Sequence, residues 1–136
     1  MADKTRRIEY HYATVPDRPG EGKRVLSALK ESNVNLLAYL GFPSGNGKAQ
    51  LDLVPESAGA LRKAAEKAGI KLSEPKKAFL VQGDDRPGAV ADAVGKLADA
   101  NVNVKSAAAT VGGGKYGLVI WVAPADYERA AKALGV

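Results

Sequence analysis

The chain carries one tetrapeptide twice. Asp17-Arg18-Pro19-Gly20 recurs as Asp85-Arg86-Pro87-Gly88, and each copy leads into an amphipathic run and then an Asn-Val-Asn turn. Asp17 to Asp85, Asn33 to Asn101 and Asn35 to Asn103 are each 68 positions apart. Any fold for these 136 residues must therefore be built from two similar units. Units this small are marginal alone, so the reading is of two modules, residues 1–74 and 75–136, that share a sheet or an interface.

The tetrapeptide itself makes physical demands. Proline has a fixed φ and no amide hydrogen, which suits the first turn of a helix, and it pushes the residue before it out of the α region. On this reading Arg86 sits at a strand-to-helix corner and the helix starts at Pro87. Gly88 lets the backbone approach a ligand closely, and the amides from Gly88 onward point out of the helix start with a fractional positive charge. Such a place suits an anion. The carboxylate of Asp85 either bonds those amides itself or receives a cation.

Composition narrows the class. Apolar residues make up 46% and charged residues 26%, the balance of a globular protein. There is no cysteine, so neither disulfides nor thiolate chemistry are available. The basic residues of the first seven are followed by no apolar segment, and no run reaches the length of a membrane span. The expectation is a cytoplasmic protein. Net charge is +5, but Lys and Arg are interleaved with acids, as in Arg62-Lys63-Ala64-Ala65-Glu66-Lys67, which reads as a solvated helix face.

Taken in order, residues 7–15 alternate and are rich in strand formers. From Pro19 to 31, Gly22, Val25, Leu26 and Leu29 fall on one helical face; the second copy repeats the stripe with Val90, Ala93, Val94 and Leu97. Residues 34–40 and 102–111 are predicted strands. Ser44-Gly45-Asn46-Gly47 and Gly112-Gly113-Gly114 are predicted hairpin turns, with returning strands at 48–54 and 115–122. Helices follow at 56–68, with Leu61, Ala64, Ala65 and Ala68 on one face, and at 126–134, with Tyr127, Ala130, Ala131 and Leu134. Ile70-Lys71-Leu72 can close the first copy with a fourth strand. The second copy ends before such a strand and is expected to leave an unpaired sheet edge. The fold class is α+β: two tandem ferredoxin-like βαββαβ modules, the second without its last strand, with helices on one face of an antiparallel sheet.

A strand, Asp-Arg-Pro-Gly, a helix of about fourteen residues and then Asn-Val-Asn-(Leu/Val) resembles the ACT domain family, in two copies covering nearly the whole chain. That resemblance implies a non-enzymatic, regulatory protein that senses a small molecule, most often an amino acid, through modules paired side by side, and a homodimer is expected. Ligands in that family sit where the loop before the first helix meets the second strand of a neighbouring module. Carried over residue by residue, the resemblance implies ligand-binding roles for Asp85, Arg86, Pro87, Gly88, Ala89 and Asn103, and for Asp17, Gly20 and Asn35 in the first copy. Amides at the helix start would take a carboxylate, while Asp and the Asn oxygen would take an ammonium. Glu21-Gly22 departs from the family's apolar pattern by placing an acid beside the first helix start, so the reading favours the Asp85 site over the Asp17 site.

Other functions find less support. The one histidine, His11, lies in a predicted strand and reads as structural, and no spacing of ligands suggests a metal or a cofactor. No catalytic residue is assigned. An RNA-recognition module shares this order of elements, and Lys115 to Trp121 faintly matches its aromatic strand motif. Tyr116 and Trp121 differ by an odd number of positions, however, and point to opposite faces of a regular strand. A nucleic-acid partner is accordingly the weaker expectation, and an RNA-binding module stands as an alternative. A ligand-free interaction module is the other alternative, because Val119, Trp121 and Ala123 make a second apolar face that needs a cover. The sequence reading supplies that cover from another module or a second subunit.

Overall fold

The computed structural model describes residues 3–136. Elements follow in the order β1 (Lys4–Pro16), α1 (Glu21–Glu31), β2 (Leu36–Gly45), β3 (Lys48–Pro55), α2 (Ala58–Ala68), β4 (Lys76–Asp84), α3 (Ala89–Asp99), β5 (Val104–Gly112), β6 (Lys115–Val122) and α4 (Tyr127–Leu134), the last entered through a short 3-10 turn. The class is α+β, consistent with two ferredoxin-like modules. Among the described residues no helix is long and apolar enough to cross a membrane. Among the described residues no group of three His, Cys, Asp or Glu could hold a metal ion.

The chain divides into two compact units, one of residues 9–76 and one of residues up to Ile8 together with 77–136. In the first, β3 lies between β1 and β2 and is antiparallel to both, with His11 opposite Leu53 and Tyr39 opposite the same Leu53. Helices α1 and α2 bring Val25, Leu29, Leu61 and Ala64 onto Val15, Leu51 and Leu53. The predicted fourth strand at 70–72 is not formed. The segment is instead held to β1 at one residue: Ser73 donates its amide to Tyr12 O and accepts Tyr12 N–H on Oγ, both near 2.9 Å or shorter. His11 Nδ1 meets Ser73 O at 2.8 Å. This assigns the proton to Nδ1, since a carbonyl can only accept.

In the second unit β6 lies between β4 and β5. The edge of β4 that the sequence left bare is bonded to β1, whose residues through Ile8 group with this unit. The start of the chain thus stands where a closing strand would stand. Phe79, Val81, Leu118 and Ile120 pack under Ala93 and Leu97 of α3 and Tyr127, Ala130 and Leu134 of α4. Tyr127 stacks on Phe79 with centroids 4.5 Å apart and donates its hydroxyl to Ala78 O at 3.0 Å. Val119 and Trp121, the second apolar face, are already buried in the single chain.

Two details of the helices differ from expectation. The buried face of α3 is Ala89, Ala93 and Leu97, while Val90 is exposed, and Ala68 of α2 is exposed as well. Both Asn-Val-Asn turns form as anticipated. Asn33 and Asn101 take φ of 56° and 58°, and the amides of Val34 and Val102 return to Leu29 O and Leu97 O. This is the six-to-one bond that terminates a helix at a left-handed residue.

Candidate functional site

The repeated tetrapeptide folds the same way in both units, and not as proline at the first helical position. The helices begin at Glu21 and Ala89, two residues later than the sequence suggested. Gly20 and Gly88 precede them in the left-handed region, at φ 93° and ψ −17° and at φ 83° and ψ 3°. A Pro-Gly pair whose glycine has these angles is the centre of a type II turn. The closing bonds run from Glu21 N to Arg18 O at 3.5 Å and from Ala89 N to Arg86 O at 3.2 Å. The Ala89 amide is therefore already donated within its own turn. Neither helix start has a side-chain cap.

Each corner is also tied to its own hairpin. Asp17 donates its amide to Gly47 O and Asp85 donates to Gly114 O, both at 2.9 Å. The carboxylates of Asp17 and Asp85 are exposed, and among the described residues neither makes an ion pair or a side-chain hydrogen bond. Asn103 is exposed at the entry to β5; Asn35 is exposed and donates to Glu56 Oε1 at 2.8 Å.

Beyond the backbone the two corners diverge. At the second, Arg86 grips the carboxylate of Asp3 with both terminal nitrogens at 3.1 and 3.2 Å, and reaches Asp92 at 3.1 Å. Tyr116 donates its hydroxyl to Asp3 at 2.7 Å, and Lys115 pairs with Asp84. Arg86 holds the Asp3 carboxyl below the usual carboxylate range, assisted by the Tyr116 hydroxyl. Burial, then the Asp3 hydrogen bond, pushes the Tyr116 phenol up to about 12. Gly83 makes room, since a β-carbon there would lie 2.1 Å from Asp3 Oδ1. This corner is filled by its own side chains.

The first corner is open. A groove of about 350 Å³ runs beside it, lined by Asp17, Arg18, Glu21 and Gly22 on one side and by Tyr39 and Phe42 of β2 on the other, over Ala49 and Leu51. Asn35 does not line it. That side chain, with Asn33, borders a separate depression of about 210 Å³. Glu21 is held between Arg24, at 3.0 Å, and Arg18, at 3.2 Å, and these two guanidinium groups, Arg24 foremost, keep its carboxyl below its ordinary range. Tyr39 reaches toward α1: its hydroxyl would stand 3.3 Å from a β-carbon on Gly22 and 3.2 Å from one on Gly41. Gly22, the smallest residue of the helical stripe, leaves the space this hydroxyl uses.

Tyr39, Phe42, Gly41 and Ala49 were not singled out from the sequence. The signal was nonetheless present in the comparison of copies. Strand register aligns Ala49 with Tyr116, Tyr39 with Ala107 and Phe42 with Thr110, while the tetrapeptide aligns Gly22 with Val90. Ala49 under the groove and Gly22 at the helix start are small where the second copy has Tyr116 and Val90, whereas Tyr39 and Phe42 of the strand wall are large where it has Ala107 and Thr110.

No family model matches the chain, and no curated protein matches it. Solved structures share its fold. One is a protein from Bacteroides thetaiotaomicron, with a TM-score of 0.81, 16% identity, and coverage of 96% of this chain and 88% of that one. Another is the regulatory subunit of aspartate kinase from Thermus thermophilus, in its ligand-free form, with a TM-score of 0.66, 20% identity, and coverage of 98% and 94%. A third is a C-terminal regulatory domain assigned to aspartate kinase of Porphyromonas gingivalis, with a TM-score of 0.59, 12% identity, and coverage of 98% and 95%. Over nearly its whole length the chain has the ACT-like fold of such regulatory domains.

Proposed function

We propose that this chain is a non-enzymatic regulatory protein whose ACT-like modules, drawn at residues 1–74 and 75–136, bind a small ligand at the corners between first strand and first helix. An amino acid is the ligand class. The residues put forward are Asp17 and Gly20 at the first corner, Asp85, Arg86, Pro87, Gly88 and Ala89 at the second, and Asn35 and Asn103 where a neighbouring module of a homodimer closes the site. The single observation that carries this reading is the open groove at the first corner, where a carboxylate with no ion pair or side-chain hydrogen bond among the described residues stands beside two exposed aromatic rings. The fold shared with the Thermus thermophilus regulatory subunit supports it.

The mechanism is population shift. A ligand that contacts two module surfaces favours the arrangement in which both are present, by no more than its difference in affinity for the two arrangements. RNA recognition is disfavoured, because Tyr116 and Trp121 are both buried and offer no stacking platform.

A thermal-shift screen over the proteinogenic amino acids and nucleotides tests this. A ligand at 100 times its dissociation constant should stabilise the fold by about 2.7 kcal/mol. Asp17→Ala should reduce the shift if the first corner binds, and Asp85→Ala if the second does. A screen in which nothing raises the melting temperature would count against the proposal.

A further inference from the structure

The two corners are natural controls for each other. They share the Asp-Arg-Pro-Gly turn, the anchoring bond to the hairpin glycine and the left-handed helix start. What differs is a set of side chains around one space. The second copy places Tyr116 and Val90 where the first has Ala49 and Gly22, and the first copy adds Tyr39 and Phe42 where the second has Ala107 and Thr110. Small residues that served only the turn would not be accompanied by two aromatic side chains left 41% and 38% exposed along the same groove. Large exposed apolar groups ringed by polar ones mark binding surfaces.

Charge indicates what the groove receives. Its charged lining residues are Asp17, Arg18 and Glu21, which sum to −1 in a chain whose formal charge is +5. Glu21 is already held by Arg18 and Arg24, and those bonds account for the one cation in the lining. Asp17 is left as a carboxylate with no ion pair or side-chain hydrogen bond among the described residues. Aromatic faces carry negative charge density and favour a cation over an anion. Of the amides at this helix start, that of Glu21 faces Arg18 O and that of Arg24 faces Gly20 O.

We infer that the groove at the first corner binds a small organic cation with an apolar stem, its ammonium on Asp17 and its stem along Tyr39 and Phe42. This rests on the ligand-binding reading above and sharpens it: the positive charge is the recognised group, and a ligand carboxylate is dispensable at this site. The second corner, filled by Tyr116, Arg86 and Asp3, does not share the specificity.

Three molecules of matched shape separate charge from bulk: 2-phenylethylamine, 2-phenylethanol and 3-phenylpropanoate, titrated into the full chain while amide shifts are followed by NMR. The amine should perturb Asp17, Gly22, Tyr39 and Gly41 and bind about five- to tenfold more tightly than the alcohol. The propanoate should bind most weakly. Asp17→Asn should bring the amine to the alcohol's affinity and leave the alcohol unchanged; Asp85→Asn should change neither. Ala49→Tyr, which installs the second copy's residue, should abolish both, and Gly22→Val serves the same purpose if that variant fails to fold. If the propanoate binds tightest, or Asp17→Asn leaves the amine's affinity intact, the inference is overturned. If amino acids bind in the groove but the amine binds no better than the alcohol, the cation assignment fails and the ligand-binding reading stands. If neither amine nor amino acid perturbs the groove, both fail.

Discussion

Gly20 and Gly88 show how much one position can decide. Each is forced to a positive φ by the turn, yet a β-carbon on either would meet nothing within 4 Å. The penalty for a side chain there is thus purely conformational. Gly20→Ala and Gly88→Ala should each destabilise by about 1–2 kcal/mol in urea unfolding. Gly59 is the counter-case, with open space and an ordinary φ inside α2. Gly59→Ala should stabilise by about 0.5–1 kcal/mol. Titration follows the same local logic. Tyr116 titrates at about 12 when folded, against 10.0 for a free tyrosine. Between those values the unfolded chain loses its proton first, so the stability is whole below pH 10 and falls as pH rises toward 12. Tyr116→Phe should flatten that alkaline decline in unfolding curves taken from pH 9 to 12. Asp52 behaves in the same sense at acid pH. Burial raises its pKa, against a partial offset from the Gln50 amide, so its charged form opposes folding at neutrality. Asp52→Asn should raise the midpoint of urea unfolding at pH 7 and change it little at pH 3, where both states are largely protonated.

Among the elements, β1 breaks the simple picture of two consecutive modules. Its residues through Ile8 belong with 77–136, whereas residues 9–16 belong with the unit in which β3 is its neighbour. Ile8 is buried, and Ile8→Ala should cost about 2–4 kcal/mol. Hydrogen exchange should place the loss on the amides of β4 more than on those of β2; equal loss in both would contradict the grouping. Sequence alone could not assign this. Residues 7–15 announce a strand by alternation, but alternation specifies a face and not the partner on each edge. The hairpins, the helix stripes and the Asn-Val-Asn terminations were legible because each depends on residues close in sequence. The Ile70–Leu72 strand was misread for a related reason. Its apolar pair fits a strand, yet the contact with β1 runs through Ser73, whose hydroxyl and backbone do the bonding while His11 meets its carbonyl. Ser73→Ala should cost about 1 kcal/mol by leaving the Tyr12 amide without its acceptor.

At the scale of the molecule, duplication explains both what the sequence disclosed about the site and what it hid. Repetition of Asp-Arg-Pro-Gly located the corners, since proline and glycine at fixed spacing have few conformations open to them. The same repetition directed attention to what the copies share, whereas the groove arises from what they do not: Gly22 against Val90, Ala49 against Tyr116, Tyr39 against Ala107. Tyr39 and Ala49 stand on different strands, and only the register that aligns β2 with β3 puts both beside Asp17. Asp3, distant in sequence from Arg86, was equally invisible as the residue that fills the second corner. The account as a whole claims that a ligand enters at the first corner. The most direct measurement is a crystal structure grown with the strongest stabilising amino acid from the thermal screen. It should hold the ligand in the 350 Å³ groove with its ammonium on Asp17 and its side chain against Tyr39 or Phe42. A ligand located elsewhere, with this groove holding only solvent, would contradict it.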